Sequence, residues 1–327
     1  MTPVEERLHA QINRHGSVPF AAFVEAALYD DDGFYVSGGR AGRDADFLTS
    51  PEVGPLFGAV VAGALDSWWR DLGEPDVFVV VEAGAGPGAL ARSVLHARPG
   101  CASALRYVLV ERSAAQRGLH GSRLPLEDPA AAFTSVPEPD DDRGQRHPVP
   151  AGPIVVSVPE LPRLDGPCVV LANELLDNLP FGLAQRDVDG WEEVMVGLDG
   201  GALTEVLVPL AGAEAATLDR LAPSAAPGAR VPLPRHAAAW LRDARALAGP
   251  GGRVVAIDPG HGGHDGLHGA RRTSQLRLLP GRRAQSVRPG QPHAAVLALR
   301  RQPVGRPVRG VLERSGPRHP GALHTRG

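Results

Sequence analysis

Apolar residues follow two periodic patterns along this chain, one typical of buried strands and one typical of amphipathic helices. Near-continuous apolar runs, as found in strands covered on both faces of a parallel sheet, occupy residues 77–81, 106–110, 154–158, 168–171 and 253–257. Apolar positions at the three- and four-residue spacing of one helix face occupy residues 17–29, 56–69 and 236–247. Because strands and helices alternate, the pattern predicts an α/β domain built on a mostly parallel sheet.

Three segments interrupt this alternation. Residues 30–46 are rich in glycine and acidic residues and 121–153 show little periodicity, so we expect both to be loops. Residues 183–209 hold two apolar stretches around Asp199-Gly200-Gly201, which is the turn chemistry of a hairpin. The expected organisation is an N-terminal helical segment, a core that carries the inserted loop and hairpin, and a tail, at residues 1–58, 59–258 and 259–327.

The composition excludes several function classes. All 34 cationic residues are Arg, which rules out a lysine Schiff base and a phosphate-loop lysine. Cys101 and Cys168 stand 67 positions apart without a CxxC pair, so neither a disulfide framework nor a cysteine zinc site is expected. The chain starts without an apolar signal segment, and no apolar run reaches the roughly 18 residues of a membrane span. We therefore expect a cytoplasmic protein with no membrane span.

The tail differs in charge from the rest of the chain. Residues 259–327 contain 13 Arg, two acidic residues and no Phe, Trp or Tyr. Two interpretations stay open, a disordered extension that buries little and the product of a shifted reading frame in a G/C-rich gene. Without aromatic residues for base stacking we do not expect nucleic-acid binding. His261, His264 and His268 have no carboxylate-rich partner motif, and we expect no metal site.

A glycine-rich turn follows the valine-rich strand and opens an amphipathic helix. Gly84, Gly86 and Gly88 would let the backbone approach a cofactor, and the helix start offers unpaired amides to a polar ligand. The turn alone is weak evidence, because a structural turn without ligand has the same sequence. Twenty-three residues after Gly88, however, the next strand ends in Glu111. A carboxylate there can accept both hydroxyls of an adenosine ribose, so the two features together predict a nucleotide site.

Glu82 distinguishes between two nucleotides. In dehydrogenases the residue before the glycine turn is usually apolar, whereas a carboxylate at this position can support the loop and meet the cationic ammonium of S-adenosyl-L-methionine. A pyrophosphate would be repelled by it. The dinucleotide-binding spacing GxGxxA is present, with Ala89 as its last residue, so an NAD(P)-dependent oxidoreductase stays open as an alternative.

A second set of polar residues follows another buried strand, at the edge where open α/β sheets place their ligands. If the chain turns helical after Asn173, then Glu174 and Asp177 lie three residues apart on one helix face. Paired carboxylates can hold and orient a guanidinium group. The alternative is a helix cap with solvated acids.

These motifs resemble those of the MidA family of class I S-adenosyl-L-methionine-dependent methyltransferases. The resemblance begins with ALYDDDGFYV and DFLTSPEVGPLFG, continues through the glycine loop and YVLVERS with Gln116, and includes ANE to Leu179-Pro180. It covers roughly residues 16–258, and several motifs in the same order are far more specific than any one of them.

The resemblance implies a Rossmann-like core with a mostly parallel seven-stranded sheet, an N-terminal helical cap and an inserted hairpin. It implies that S-adenosyl-L-methionine is the cofactor, that Asn173, Glu174 and Asp177 face the methyl group, and that a protein arginine or similar nitrogen nucleophile is the acceptor. The resemblance includes mitochondrial relatives that methylate an arginine of a respiratory complex I subunit and assist assembly of that complex. Because the C-terminus of this chain departs from the family, a catalytically impaired assembly or scaffold protein is an alternative to an enzyme. The residues implied to line the substrate cleft are Asp46, Thr49, Ser50, Pro51 and Glu52.

The chain departs from the family pattern in three places. Ala45 stands where the family has Gly, and Pro87 stands where it commonly has Arg. The final recognisable strand ends in Asp258 followed by Pro259 rather than by Tyr-Gly. We therefore expect the resemblance to end there and the terminal sheet strands to be missing, which would expose a sheet edge.

Overall fold

The structure is a computed structural model that describes residues 1–35, 55–133, 150–258 and 295–300. The helices are α1 (Pro3–His15), α2 (Phe20–Tyr29), α3 (Pro55–Asp71), α4 (Ala89–His96), α5 (Ala114–Arg117), α6 (His120–Arg123), α7 (Pro129–Phe133), α8 (Gly212–Leu221) and α9 (Arg235–Ala248). The strands are β1 (Val18–Pro19), β2 (Phe78–Ala83), β3 (Leu105–Val110), β4 (Ile154–Val158), β5 (Cys168–Asn173), β6 (Gly182–Arg186), β7 (Trp191–Asp199), β8 (Ala202–Leu210), β9 (Arg230–Leu233), β10 (Arg253–Asp258) and β11 (Ala295–Arg300). No helix within these ranges has the length and apolarity needed to cross a bilayer.

The larger sheet has the order β11-β10-β5-β2-β3-β4. Its strands run parallel, except that β11 pairs antiparallel with β10. The predicted α/β fold with a mostly parallel sheet is therefore confirmed, although the described residues supply six strands rather than seven. The expectation that the terminal strands are missing is wrong for β11, because the run at 295–300 pairs with β10 along its whole length.

Alternation of side chains explains why the central strands are almost wholly apolar. Val80, Tyr107 and Leu171 belong to a core on one face that includes residues of α3 and α4. Their neighbours, such as Val81 and Val108, belong to a second core on the other face, which α9 covers. Since successive side chains of a strand point to opposite faces, a strand between two helical layers needs apolar residues at every position.

The second sheet is antiparallel and contains the hairpin. The strand β7 pairs with β8, β6 and β1, and β9 pairs with β6. The turn between β7 and β8 uses Gly200 at φ +55° and Gly201 at φ +82°, a left-handed pair that glycine adopts without steric cost. The hairpin thus lies at 191–210, within a sheet that also contains β6.

The N-terminal region differs from its prediction in two ways. The periodicity predicts one helix over 17–29, but α2 begins at Phe20 because Val18 and Pro19 pair with β7. The preceding helix α1 has no counterpart in the prediction, since only Leu8 and Ile12 of its residues are buried. It begins with a capping box in which Thr2 accepts a hydrogen bond from the Glu5 backbone and the Glu5 side chain accepts one from the Thr2 backbone.

Candidate functional site

The order of the strands in the larger sheet reverses between β2 and β5. From β2 the chain proceeds outward to β3 and β4, and it then returns to the opposite side of β2 as β5. The register places Ala83 beside both Val110 and Ala172, so the carboxyl ends of β3, β2 and β5 lie side by side. Ligands of open α/β sheets bind at such a switch point, and the predicted site residues follow these three strands.

The glycine loop has a backbone that requires glycine. Gly84, Gly86 and Gly88 have φ values of +68°, +52° and +80°, in the left-handed region that side chains disfavour. A Cβ atom at Gly84 would lie 2.8 Å from Leu175 Cδ1, whereas one at Gly86 would meet no described atom within 4 Å. A side chain at Gly84 would therefore collide with the segment after β5, whereas the direction of a Cβ atom at Gly86 is open.

The carboxylate of Glu111 lies directly against this loop. Its Oε2 accepts a hydrogen bond from the Gly86 backbone at 2.9 Å, and its Oε1 accepts one from the Ser113 backbone at 2.7 Å. Burial raises the pKa of Glu111, and the two backbone donors and nearby Arg117 and Arg112 oppose that rise. Because an ionised carboxylate has about four acceptor positions, two are left for further donors such as ribose hydroxyls.

Glu82 lies beneath the loop rather than at the crevice. Its side chain is buried, and its Oε2 accepts a 2.7 Å hydrogen bond from the Tyr107 hydroxyl. The Ala91 backbone in α4 is a second donor, and burial raises the pKa of Glu82 to about 7. These hydrogen bonds join Glu82 to Tyr107 and to the start of α4, and its predicted contact with a methionine ammonium stays a prediction.

Asn173 is the last residue of β5. Its Oδ1 is buried and has no hydrogen-bond partner in the described part of the chain. An orphaned acceptor of this kind costs free energy unless a donor arrives. It therefore favours a ligand with an N–H or O–H group at this strand end.

The segment after Asn173 does not form the predicted α-helix. Glu174 has φ +52°, and its backbone N–H donates to the Ile257 carbonyl of β10 at 2.7 Å. Only a single turn of 3-10 helix, Leu176–Asn178, follows. The prediction that Glu174 and Asp177 share one helix face is wrong, because the left-handed residue at 174 and the pairing with β10 prevent a helix from starting.

A polar hub at Asn178 joins this segment to the N-terminal region. The hydroxyls of Tyr29 and Tyr35 donate to the Asn178 backbone carbonyl and to its Oδ1, both at 2.8 Å. Asn178 Nδ2 in turn donates to the Glu174 carbonyl at 2.7 Å. The hub therefore connects α2 and the residues after it to the loop that carries Glu174.

Tyr35 lies near three carboxylates, those of Glu111, Glu174 and Asp177. Burial raises its pKa to about 12, and the negative charges of Asp177, Glu111 and Glu174 contribute to the rise. Sequence reasoning missed Tyr29, Tyr35 and Asn178, although both tyrosines stand in the ALYDDDGFYV motif. Their only signal was the presence of two aromatic residues beside an acidic, glycine-containing stretch.

The residues expected to line the substrate cleft fall outside the described part of the chain. They are Asp46, Thr49, Ser50, Pro51 and Glu52, together with the departure from the family pattern at Ala45. Pro87 is described and lies between two left-handed glycines.

The described residues fit S-adenosyl-L-methionine. Glu111 has acceptor positions for a ribose, Gly86 is open to close approach, and Asn173 has an unpaired acceptor on the neighbouring strand. All three features lie at the ends of adjacent strands of the larger sheet.

Comparison with known proteins gives the same picture. A family model described as "Putative S-adenosyl-L-methionine-dependent methyltransferase" matches residues 60–290. A protein from Burkholderia thailandensis whose crystal structure contains S-adenosyl-homocysteine superposes with a TM-score of 0.63 at 28% identity, covering 81% of this chain and 64% of that one. The family match extends past Asp258, so the prediction that the resemblance ends there is wrong.

Curated relatives carry the name protein arginine methyltransferase NDUFAF7, mitochondrial. The mouse protein is 28% identical over 67% of this chain and 52% of its own length, and the human protein 27% identical over 61% and 46%. The Drosophila melanogaster homolog is 41% identical over 28% of this chain and 21% of its own length. The chain thus spans about half the length of the mammalian relatives. Their mitochondrial naming contradicts the predicted cytoplasmic location.

Proposed function

Because this chain belongs to that family of S-adenosyl-L-methionine-dependent methyltransferases, we propose that it transfers a methyl group from S-adenosyl-L-methionine to a protein arginine or a similar nitrogen nucleophile. The observation that carries the proposal is the junction of Glu111 with Gly86, next to the unpaired Oδ1 of Asn173. These residues come from three adjacent strand ends, so a cofactor and an acceptor group can meet there.

The cofactor half of the site has a defined set of roles in this proposal. Glu111 accepts the ribose hydroxyls, and the backbone of Gly84, Gly86 and Gly88 borders the methionine part. Glu82 supports the loop from below through its hydrogen bonds to Tyr107 and to the start of α4. The bound cofactor supplies a sulfonium methyl group, which is already electrophilic.

The acceptor half is formed by the loop after β5. In the proposal the carboxylates of Glu174 and Asp177 hold a guanidinium group, since bidentate pairing of carboxylate and guanidinium fixes orientation. Asn173 accepts an N–H of the same group. Holding the nucleophile in line with the methyl group lowers the barrier mainly by removing translational and rotational freedom. Transfer forms the N–C bond and breaks the C–S bond, and the nitrogen releases one proton.

The substrate is proposed to be a protein. Support comes from the names of the curated relatives, which are protein arginine methyltransferases. From the family resemblance we propose that the acceptor is a subunit of respiratory complex I. The substrate cleft of the proposal includes Asp46, Thr49, Ser50, Pro51 and Glu52. The family match and the S-adenosyl-homocysteine-bound neighbour do not favour the oxidoreductase or scaffold alternatives.

Calorimetric titration of the full chain with S-adenosyl-homocysteine tests the cofactor, and NADH serves as the matched control ligand. We expect saturable binding of S-adenosyl-homocysteine and none of NADH, and the opposite result would overturn the proposal. Radiolabelled methyl transfer to Arg-containing and Arg-to-Lys versions of candidate peptides tests the acceptor. Transfer only to the Arg-containing peptides supports the assignment, while binding without transfer to any protein or peptide would indicate an impaired enzyme.

A further inference from the structure

The Gly86 residue is held by side chains on both of its backbone polar groups. Its N–H donates to Glu111, and its carbonyl oxygen lies 2.7 Å from Nε2 of His120. Because a carbonyl only accepts, Nε2 is the donor. The next residue is Pro87, which has no backbone N–H, so the carbonyl is the single hydrogen-bonding group of the peptide unit that joins Gly86 to Pro87. The His120 contact therefore fixes the orientation of that unit.

The His120 ring is itself held in one tautomer. Its Nδ1 lies 2.8 Å from the Ser157 hydroxyl in β4, which can donate into the Nδ1 lone pair. The side chain is fully buried, and burial together with Arg117 and Arg123 lowers the pKa of His120. The ring is thus neutral, with its hydrogen on Nε2 and directed at the loop.

The same ring also packs against the end of the loop. A Cβ atom at Gly88 would lie 3.4 Å from His120 Cδ2, and it would be even closer to Leu124 and Leu109. His120 begins the short helix α6, which follows the strand end that carries Glu111. Hydrogen bonds thus run from Ser157 through His120 and Gly86 to Glu111, across the ends of β4, β2 and β3.

We propose that His120 is a positioning residue for the cofactor, which fixes the shape of the glycine loop through the Gly86 carbonyl without contacting the cofactor itself. The inference rests on the proposed function, because it assumes that the loop receives S-adenosyl-L-methionine. A loop held in its binding shape does not have to be ordered when ligand binds, which favours affinity. Loss of the donor leaves the partly buried Gly86 carbonyl without its partner and frees the loop to change shape.

A matched pair of amide substitutions separates positioning from mere packing. In His120→Gln the amide nitrogen stands near the place of Nε2 and can donate to Gly86, whereas in His120→Asn it reaches only toward Ser157. We expect S-adenosyl-homocysteine affinity within about threefold of wild type for the Gln variant, and a loss of about tenfold or more for the Asn variant. Equal affinity in the two variants, whether reduced or unchanged, overturns the inference.

Two further variants keep the test decisive. Leu233→Ala removes a buried side chain of the second sheet, and we expect it to lower the thermal unfolding temperature while leaving S-adenosyl-homocysteine affinity unchanged. If variants at 120 do not fold, Ser157→Ala tests the same link, with an expected affinity loss of about threefold to tenfold and unchanged affinity as the contrary result. Failure of the wild-type chain to bind S-adenosyl-homocysteine would instead overturn the proposed function.

Discussion

The hydroxyl of Tyr107 donates a 2.7 Å hydrogen bond to Oε2 of Glu82, between two neighbouring strands in the core of the larger sheet. Both side chains are almost fully enclosed, with exposed fractions of 0% and 3%. Burial raises the pKa of Glu82 to about 7, since the ionised form loses its hydration. The free energy of unfolding therefore depends on the protonation of Glu82, and so on pH.

The first prediction concerns this pH dependence. A raised folded-state pKa means that the fold favours the neutral carboxyl of Glu82. Its contribution to the free energy of unfolding is complete below the ordinary pKa near 4.5 and is lost as the pH rises through about 7. Between pH 5 and pH 8, wild type should lose roughly 2–3 kcal/mol more unfolding free energy than Glu82→Gln. Urea denaturation at both pH values measures the difference. The exposed control Glu127→Gln should follow wild type, and a parallel decline of wild type and Glu82→Gln would contradict the prediction.

The second prediction concerns the Glu111 carboxylate and its proposed contact with a ribose. Replacement of Glu111 by Ala removes the acceptor of the Gly86 N–H as well as the proposed ribose contacts, so S-adenosyl-homocysteine affinity should fall by more than about tenfold, or roughly 1.4 kcal/mol. Isothermal titration gives the affinities, with Glu127→Ala as an exposed acidic control. Unchanged affinity of Glu111→Ala would remove its proposed role.

The third prediction compares two left-handed glycines that differ in their surroundings. Gly84→Ala and Gly212→Ala both place a side chain at a positive φ, but only the first meets a neighbour, Leu175 Cδ1 at 2.8 Å. The backbone cost of about 1–2 kcal/mol is shared by both variants. The contact should add about 0.5–1 kcal/mol at Gly84, because the half-buried Leu175 side chain can shift to another rotamer. Chemical denaturation measures both losses. Leu175→Ala in the Gly84→Ala background should recover part of the additional loss, and equal losses for the two glycines would disprove the contact's effect.

The fourth prediction concerns the Asn178 hub. Asn178→Ala removes the side-chain acceptor of Tyr35 and the side-chain donor to the Glu174 carbonyl. The Tyr29 bond to the backbone carbonyl can persist, so we expect a loss of about 1–3 kcal/mol from the side-chain bonds. Hydrogen exchange should become faster in α2, because the hub connects the N-terminal region to the loop after β5. The exposed control Asn13→Ala should change stability by less than about 0.5 kcal/mol, and unchanged exchange in α2 of Asn178→Ala would argue against the hub.

The parts of the fold that were predictable are those whose signal is local. Strands such as β2 and β3 are apolar at nearly every position because helices cover both faces, and a single window of sequence contains that information. The glycine loop and Glu111 were found for the same reason, since each directly follows such a strand. Their adjacency also follows from strand order, which is tightly restricted in parallel α/β sheets.

The parts that could not be predicted depend on contacts between distant segments. Asn178 and Tyr29 stand 149 positions apart, and no local pattern links them. His120 is similar, because an isolated histidine in a polar stretch gives no sign that its ring will contact Gly86. The break at Glu174 was missed because ELLDN favours a helix locally, and pairing of the Glu174 amide with β10 overrides that preference.

The left-handed backbone of Glu174 places two separate requirements on any replacement at this position. The first concerns the main chain, which at a positive φ accepts glycine, asparagine or aspartate most readily. The second concerns the negative charge of the carboxylate. A β-branched replacement would strain the left-handed backbone and remove the charge together, whereas glycine would keep that backbone without strain and remove only the charge. Comparison of those two replacements therefore separates the effect of backbone conformation from the effect of charge in the loop after β5.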